Sequence, residues 1–468
     1  MDFYLFTYDG HGYPIAKKMM EEGHNVIAGV VQDKKDFISP NGDSEKEDLR
    51  EKELRLSLYQ NMMEMTDAWK LVEKIKNLKS FDDTFVFFDL NNLFRFSDEL
   101  KNLPVAGNFV TVEDLLFEED RDKAKNFVSQ HYPKMRVATK IEFKKAKEAI
   151  DFLEKTDEIW VLKGFNDKAK AVVPDVDDPE LAGRQIIEAL RNHKEVFESL
   201  GFMLELLIPN IVELTPEKFY YDGVPLGTSI DIENKPFGSG NIGVQTGCSA
   251  DLVFPTDMED RINKIAFPPA IDEMAKEHKG LFVWDASLLI DKSNGKIHFG
   301  EFCSNRLGYN SFFSELAQTA SVAGFFRDCM DKKNPYRLGT VATSLRIFNM
   351  NRDQNQQIRG GIRIDYKPEI EKYLWLWDVR KEGDKLVSVG YDWNLAVITG
   401  AGKSINEAIQ RMYKSNESFS FLGEYYRPQD DYLSLDYPTS ILNRLNYGVE
   451  RGLYRLPFSV KVGDIKIK

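Results

Sequence analysis

Hydrophobic and polar positions along the chain fall into blocks that switch between a period of two and a period near 3.6. Phe3 to Tyr8 is an apolar, aromatic run, and Asp9 to Gly12 supplies turn residues. Pro14 then opens a helical spacing through Ile15, Met19 and Met20 that stops near Gly23, and Asn25 to Val31 reads as a second buried strand. The order predicts a βαβ unit. Thr84 to Asp89 and Val105 to Val110 extend it into an open α/β sheet, and Ser44 with Glu47 forms a capping box for a charged helix between them. Helical patterns follow around Asp122 to Val128 and Phe143 to Glu154, then a strand at Glu158 to Lys163. An amphipathic helix is predicted over Pro179 to Leu200, with strands at Phe202 to Leu207 and Glu213 to Tyr221. Leu281 to Ile290 and Lys296 to Phe302 flank Asn294-Gly295, a hairpin signal. Trp393 to Thr399 reads as a strand, and Ser404 with Glu407 caps the next helix.

The chain has 468 residues, enough for about three domains on length alone. Its 62 basic and 75 acidic side chains give a net charge of -13, which disfavours nucleic acid or an anionic membrane as the main partner. The three cysteines are widely spaced, with no CxxC pair, so neither a disulfide framework nor a closed zinc site is expected. No apolar run approaches the roughly 20 residues of a membrane span, and Met1 to Tyr8 lacks the character of a signal peptide. A cytoplasmic location is the expectation.

Simple motifs exclude more than they support. Gly10 and Gly12 match two positions of a dinucleotide loop, but the third holds Ile15, which favours a tight strand-to-helix turn. Gly402-Lys403-Ser404 resembles the end of a phosphate loop whose first glycine would be Val397, so a capped helix explains it better. No HExxH, close His/Cys cluster or GxSxG elbow occurs.

A set of separated elements carries a resemblance. Val105-Ala-Gly-Asn108, Leu116-Phe-Glu-Glu-Asp-Arg121 and Lys125-Asn-Phe-Val128 are followed by Trp160-Val-Leu-Lys163, Leu204-Glu-Leu-Leu207 and Glu213-Leu-Thr215. Asn241-Ile-Gly-Val-Gln-Thr-Gly247, Glu301-Phe with Asn305-Arg-Leu-Gly308, and Leu395-Ala-Val-Ile-Thr-Gly-Ala-Gly402 with Phe421-Leu-Gly-Glu-Tyr-Tyr-Arg427 complete the order. The series resembles the phosphoribosylamine-glycine ligase family of the ATP-grasp superfamily. The resemblance implies an ATP-grasp fold in four parts: an N-terminal open α/β domain (1–115), a first ATP-grasp part with its lid (116–200), a core with metal and substrate segments (201–330) and a mixed α/β C-terminal domain (331–468). It implies an ATP- and Mg-dependent ligase of purine biosynthesis that joins a small-molecule carboxylate to an amine through an acyl phosphate.

Carried over residue by residue, the resemblance places Lys125 and Lys163 on ATP phosphates, Glu205 and Leu207 by the adenine, and Glu213 on the ribose. Glu301 and Asn305 would hold Mg²⁺, Arg306 would stabilise charge in catalysis, and Thr246, Gly247 and Gly308 would line the substrate. The chemistry suits these roles, because lysine is a compact point charge for phosphate and Mg²⁺ takes one or two protein oxygens. Asp285 is left out of the metal set, since a two-residue turn at Asn294-Gly295 would pair residue 301 with 288 and send Asp285 to the opposite face.

The chain also departs from the pattern. Lys163-Gly164 leads into a segment with Lys168 and Lys170 but no glycine-rich loop, and Cys303 stands at the usual asparagine position. Cys248-Ser-Ala-Asp251 and Tyr309-Asn310 replace family substrate segments. Two alternatives therefore accompany the named activity: the same chemistry on a different carboxylate and amine, or a non-catalytic nucleotide-binding protein. The sequence sets no oligomeric state.

Overall fold

The apolar runs at the N-terminus form a five-stranded sheet in the order Glu64–Asp67, Asn25–Val30, Asp2–Thr7, Thr84–Phe88, Ala106–Gly107, and every pair is parallel. The computed structural model describes residues 1–37, 48–164, 171–174, 176–305, 307–336, 339–434, 439–458, 460–462 and 465–467. The Ser44–Glu47 capping box, Lys168, Lys170 and Arg306 lie outside the described residues. The sheet's central strands are largely apolar because both faces are covered. Tyr4, Phe6, Ile27 and Phe88 pack with Leu71, Ile75 and Phe96 on one side, while Phe3, Phe85 and Phe87 meet Phe326 on the other.

Two details of this sheet escape the hydrophobic pattern. The outermost strand, Glu64–Asp67, is mostly polar and pairs in parallel with Asn25–Val30. The run from Val105 to Val110 shortens to Ala106–Gly107 because Asn108 turns its amide into the ladder, accepting from the Phe88 N–H at 2.9 Å and donating to the Phe88 carbonyl at 2.7 Å.

Backbone contacts divide the chain into two compact units, one of Met1–Leu115, Leu214–Ala286 and Cys303–Lys468, the other of Leu116–Glu213 and Ser287–Phe302. Besides the parallel sheet, the larger unit holds an antiparallel run in the order Leu374–Leu376, Asn394–Gly402, Val341–Asn349, Ile242–Thr256, Val224–Asp231, Ile211–Tyr221. Helix Asn310–Ala317 covers one face through Ser314 and Asn310, which donate to Asp251 and Ser344. Helix Ile405–Asn416 covers the other, where Gly400 leaves no room for a side chain because a Cβ would stand 2.2 Å from the Ala408 carbonyl oxygen. Ser404 Oγ caps that helix by accepting from the Glu407 N–H at 3.2 Å, and the Glu407 carboxylate accepts from the Lys403 N–H at 3.0 Å.

The smaller unit is a three-stranded antiparallel sheet, Lys140–Phe143, Phe202–Leu206, Trp160–Gly164. Alternation puts Phe202, Leu204, Trp160 and Leu162 on one face, where they share a core with Ala149, Leu153 and Ile186 of helices Ala146–Leu153 and Pro179–Asn192. The predicted helix over 179–200 breaks at His193, whose φ of -124° is not helical, and continues as Lys194–Leu200.

The hairpin Leu281–Asp291 and Ile297–Ser304 corrects the expected turn. Asp291 N–H donates to the Lys296 carbonyl at 3.0 Å, closing a four-residue loop rather than a two-residue one. At the open end Asn305 N–H donates to the Val283 carbonyl at 3.0 Å. Nine positions separate 296 from 305 and eight separate 283 from 291, so the second strand carries a one-residue bulge. The two-residue turn expected at Asn294-Gly295 is therefore not the one formed.

Candidate functional site

On the sheet of the smaller unit, the face turned away from the helices carries the odd-numbered partners of the core residues, Lys163 and Glu205 among them. Lys125 comes from helix Arg121–His131, started by an Asp120 side chain that accepts from the Asp122 and Lys123 N–H groups. Its ammonium donates to Glu205 Oε2 at 2.8 Å, and Lys163 donates to Glu205 Oε1 at 3.2 Å. One carboxylate thus holds two lysines, with Lys125 and Glu205 only 7% and 6% exposed. Burial pushes the Glu205 carboxyl up, but Lys163 and Lys125 outweigh it and hold the group below the usual carboxylate range. Burial dominates at Lys163, whose ammonium is pulled below its ordinary value against the opposing pull of Glu205. Leu207 follows the same strand and donates its N–H to the Ile159 carbonyl at 2.9 Å.

A second polar group belongs to the same unit. Ser287 Oγ donates to Glu213 Oε1 at 2.6 Å. The same hydroxyl occupies the space beside Gly300, where a Cβ would come within 2.6 Å of it, so glycine is required next to Glu301. Phe302 then anchors the Glu301 strand by packing 6.1 Å from Phe127 and 5.7 Å from Tyr132, and Phe127 lies on the helix that bears Lys125. Lys125, Lys163, Glu205, Leu207, Glu213 and Glu301 thus fall in one unit.

Asn305 is engaged elsewhere. It is 2% exposed at φ 52°, its Oδ1 accepts from Val283 N–H at 3.3 Å, and its Nδ2 donates toward Asn91. The bulge brings it into the turn rather than toward a cation. Among the described residues no three His, Cys, Asp or Glu side chains form a metal cage. The donor set fits Mg²⁺ in the sparse form that nucleotide enzymes use, with a carboxylate from Glu301 and the remaining ligands from phosphate and water.

In the larger unit the three substrate-segment residues lead to side chains that sequence reasoning missed. Gly308 lies against His11, where a Cβ would stand 2.7 Å from His11 Cβ. The Thr246 carbonyl accepts from Arg346 at 2.7 Å, and the rest of that buried guanidinium grips Asn310 Oδ1 at 2.7 and 3.1 Å. Gly247, at φ 80°, turns the chain beside Thr246. Arg346 lies 5.6 Å from the Trp377 ring, the Trp377 ring stands nearly perpendicular to the His11 ring at 4.9 Å, and Tyr309 lies 5.1 Å from that imidazole. Asp9 and Asp89 flank the same loop, and Asp89 Oδ2 accepts from Gly12 N–H at 2.7 Å. The available signal was positional. Residues 8–12 and 89–91 follow adjacent parallel strands, and the chain leaves Asp2–Thr7 toward one neighbour and returns on the other side at Thr84–Phe88, a switch point where α/β sheets bind ligands.

The sequence matches no family model and no functionally curated protein. Solved structures do match over nearly the whole chain. Phosphoribosylamine-glycine ligase from Thermotoga maritima is similar at a TM-score of 0.58 and 15% identity, covering 91% of this chain and 99% of that one. The biotin carboxylase domain of the Hydrogenobacter thermophilus 2-oxoglutarate carboxylase, in complex with MgADP, ADP and bicarbonate, reaches 0.54 at 12% identity, covering 97% and 96%. The L-amino acid ligase from Bacillus licheniformis reaches 0.51 at 15% identity, covering 90% and 98%. Identities this low speak to architecture, and the architecture is that of a multidomain mixed α/β protein with the ATP-grasp fold.

Proposed function

We propose that the protein is an ATP-dependent carboxylate-amine ligase that works through an acyl phosphate. The observation that carries this reading is the pair of lysines gathered by Glu205 on the polar face of the small sheet, in a fold whose solved relatives include ligases and a carboxylase domain holding MgADP. Two ammonium groups brought within 3.2 Å of one carboxylate can exchange that partner for phosphate oxygens. Glu205 then acts as a placeholder that keeps the lysines ordered before nucleotide arrives. Glu213, fixed by Ser287, is suited to accept from sugar hydroxyls.

In the reaction, a substrate carboxylate oxygen bonds to the γ-phosphorus as the bridging bond to ADP breaks. The amine nitrogen then bonds to the acyl carbon, the carbon–oxygen bond to phosphate breaks, and the amine gives up a proton. Lys125 and Lys163 would neutralise and position the phosphates, which is the main protein contribution in phosphoryl transfer. Mg²⁺ held by Glu301 would add charge neutralisation.

The named activity to which the sequence points is phosphoribosylamine-glycine ligation in purine biosynthesis, in the cytoplasm. A second reading keeps the chemistry and changes the substrates. It is favoured by the substrate corner, where His11, Asp9 and Arg346 surround the segments at Thr246 and Gly308. ADP release tests both. With ATP, Mg²⁺, glycine and phosphoribosylamine, release above the ATP-only rate supports the named activity, and its absence leaves the second reading and a non-catalytic protein. A Lys163→Met variant should lower ATP affinity at least tenfold. Unchanged ATP binding in that variant and in Glu301→Ala, with no turnover of any carboxylate-amine pair, would sink the ligase reading in favour of a non-catalytic protein.

A further inference from the structure

The corner at the switch point of the parallel sheet has more polar capacity than the protein itself uses. Asp89 is 0% exposed, and while its Oδ2 accepts from Gly12, its Oδ1 has no hydrogen-bond partner. Asp9 Oδ1 and His11 Nδ1 are likewise buried without partners and stand 3.6 Å apart, too far to satisfy each other. These side chains are not sealed, since His11 and Asp9 keep 17% and 21% exposure. Buried polar atoms are normally paired, so three orphans on two adjoining loops mark a place for a ligand's donors.

The character of the corner is anionic and aromatic. Asp9 and Asp89 are its acids, with burial and the Asp9 charge pushing the Asp89 carboxyl well up. Arg55 lies over the Tyr8 ring at 4.0 Å but donates to the carbonyls of Tyr8 and Val31. Arg346 is spent on Thr246 and Asn310. The Tyr309 and Trp377 rings lie 5.1 and 4.9 Å from the His11 ring, and aromatic rings attract cations. A phosphate here would meet two carboxyls.

We infer that the corner formed by Asp9, His11 and Asp89, walled by Tyr309 and Trp377, is a binding site for an ammonium group, and that the amine substrate is recognised there as a cation rather than through a phosphate. The inference rests on the ligase reading and gives its amine a chemical class. Asp9 and Asp89 accept from the ammonium, His11 Nδ1 takes a further donor, and Gly308 is glycine because the His11 backbone fills its side-chain space.

The test uses the full chain carrying 13Cε1-labelled histidine, with the His11 signal among six histidines assigned by His11→Asn. Ethanolamine and 1,4-diaminobutane are the cationic probes and ribose 5-phosphate the anionic one. Both amines should move the His11 signal saturably, ribose 5-phosphate should not, and Asp9→Asn should weaken the amine response at least tenfold. Asp9→Ser repeats the reading if the asparagine variant fails to fold. A saturable response to ribose 5-phosphate, no response to either amine, or an amine response unchanged in the Asp9 variants overturns the inference. ATP added to the same samples reports separately on the ligase reading. Lost ATP binding with an intact amine response defeats that reading alone, and the converse defeats the ammonium site alone.

Discussion

In the smaller unit the buried carboxylate of Glu205 meets two ammonium groups, at 2.8 and 3.2 Å. In the larger unit the fully buried Glu315 meets hydroxyls instead, with Oε1 accepting from Ser229 at 2.7 Å and Tyr336 at 2.8 Å, and its neighbour is a second acid, Glu217. Asp231 and Asp251 lie on the same sheet face, and Asp251 accepts from Ser314 and Ser344. The charges are handled in opposite ways. Lysines stabilise the ionised form of Glu205, whereas burial and acid neighbours stabilise the protonated form around Glu315. In the proposed ligase, a corner built from ion pairs would trade a carboxylate for a phosphate. A nest that holds protons packs helix Asn310–Ala317 onto the sheet and offers phosphate nothing.

The strongest way to break the comparison is Glu205→Ala. It strips the partner from two lysines that are largely buried, and losing one side of a buried pair costs roughly 3–5 kcal/mol. Urea denaturation should show a midpoint lowered accordingly, and a loss below about 1 kcal/mol would mean that the corner is not an ion-pair core. The pH dependence has a defined sign. Because the folded value of Glu205 lies below the ordinary 4.5, its contribution is complete above that value and disappears as pH falls through the folded value.

Glu315→Gln tests the other side and should have a smaller effect that appears mainly as a slope. The Glu315 carboxyl is pushed up to about 7, chiefly by burial. Its contribution is therefore complete below the unfolded value near 4.5 and lost as pH rises through about 7. A glutamine keeps an acceptor for Ser229 and Tyr336 without a titrating proton. Thermal melts between pH 5 and 7 should lose up to one proton's worth of slope, about 1.4 kcal/mol per pH unit. A variant with the wild-type slope would show that Glu315 is ionised in the fold.

The sequence made some of this visible and concealed the rest for definite reasons. The strands that bear Lys163 and Glu205 were legible as apolar runs, because a strand needs only local information, whereas the register that sets both side chains on one face appears only in the folded sheet. That Lys125 reaches the same carboxylate from a position 80 residues away is tertiary geometry. The hairpin register was misread at Asn294-Gly295, since the Asp291 side chain binds Ser293 N–H and supports a longer loop. Asn305 was legible as an amide following an acidic strand, yet the bulge that turns it toward Val283 adds one residue that no hydrophobic pattern records. His11 and Asp89 looked like turn and strand-end residues because the chain return that makes them neighbours, and leaves their polar atoms unpaired, exists only once the parallel sheet is assembled.

His278 sharpens the comparison, because it shows the larger unit pairing a charge in the manner of the smaller one. Its Nε2 lies 2.8 Å from Asp114 Oδ1 and its Nδ1 3.0 Å from the Met274 carbonyl. Both partners are acceptors, so a ring with one proton leaves one contact unsatisfied and the imidazolium satisfies both. Burial opposes the charge, but Asp114 and the Met274 carbonyl outweigh it and raise the His278 value above its ordinary 6.5. The resulting stability is complete below pH 6.5 and lost as pH rises through the folded value. Asp114→Asn supplies an amide that can donate to Nε2, so the neutral ring becomes the satisfied form. The cost at pH 6 should be about 1–2 kcal/mol, and the His278 NMR titration should move below its wild-type midpoint. If that midpoint stays in place, the Asp114 carboxylate is not what holds the proton on His278.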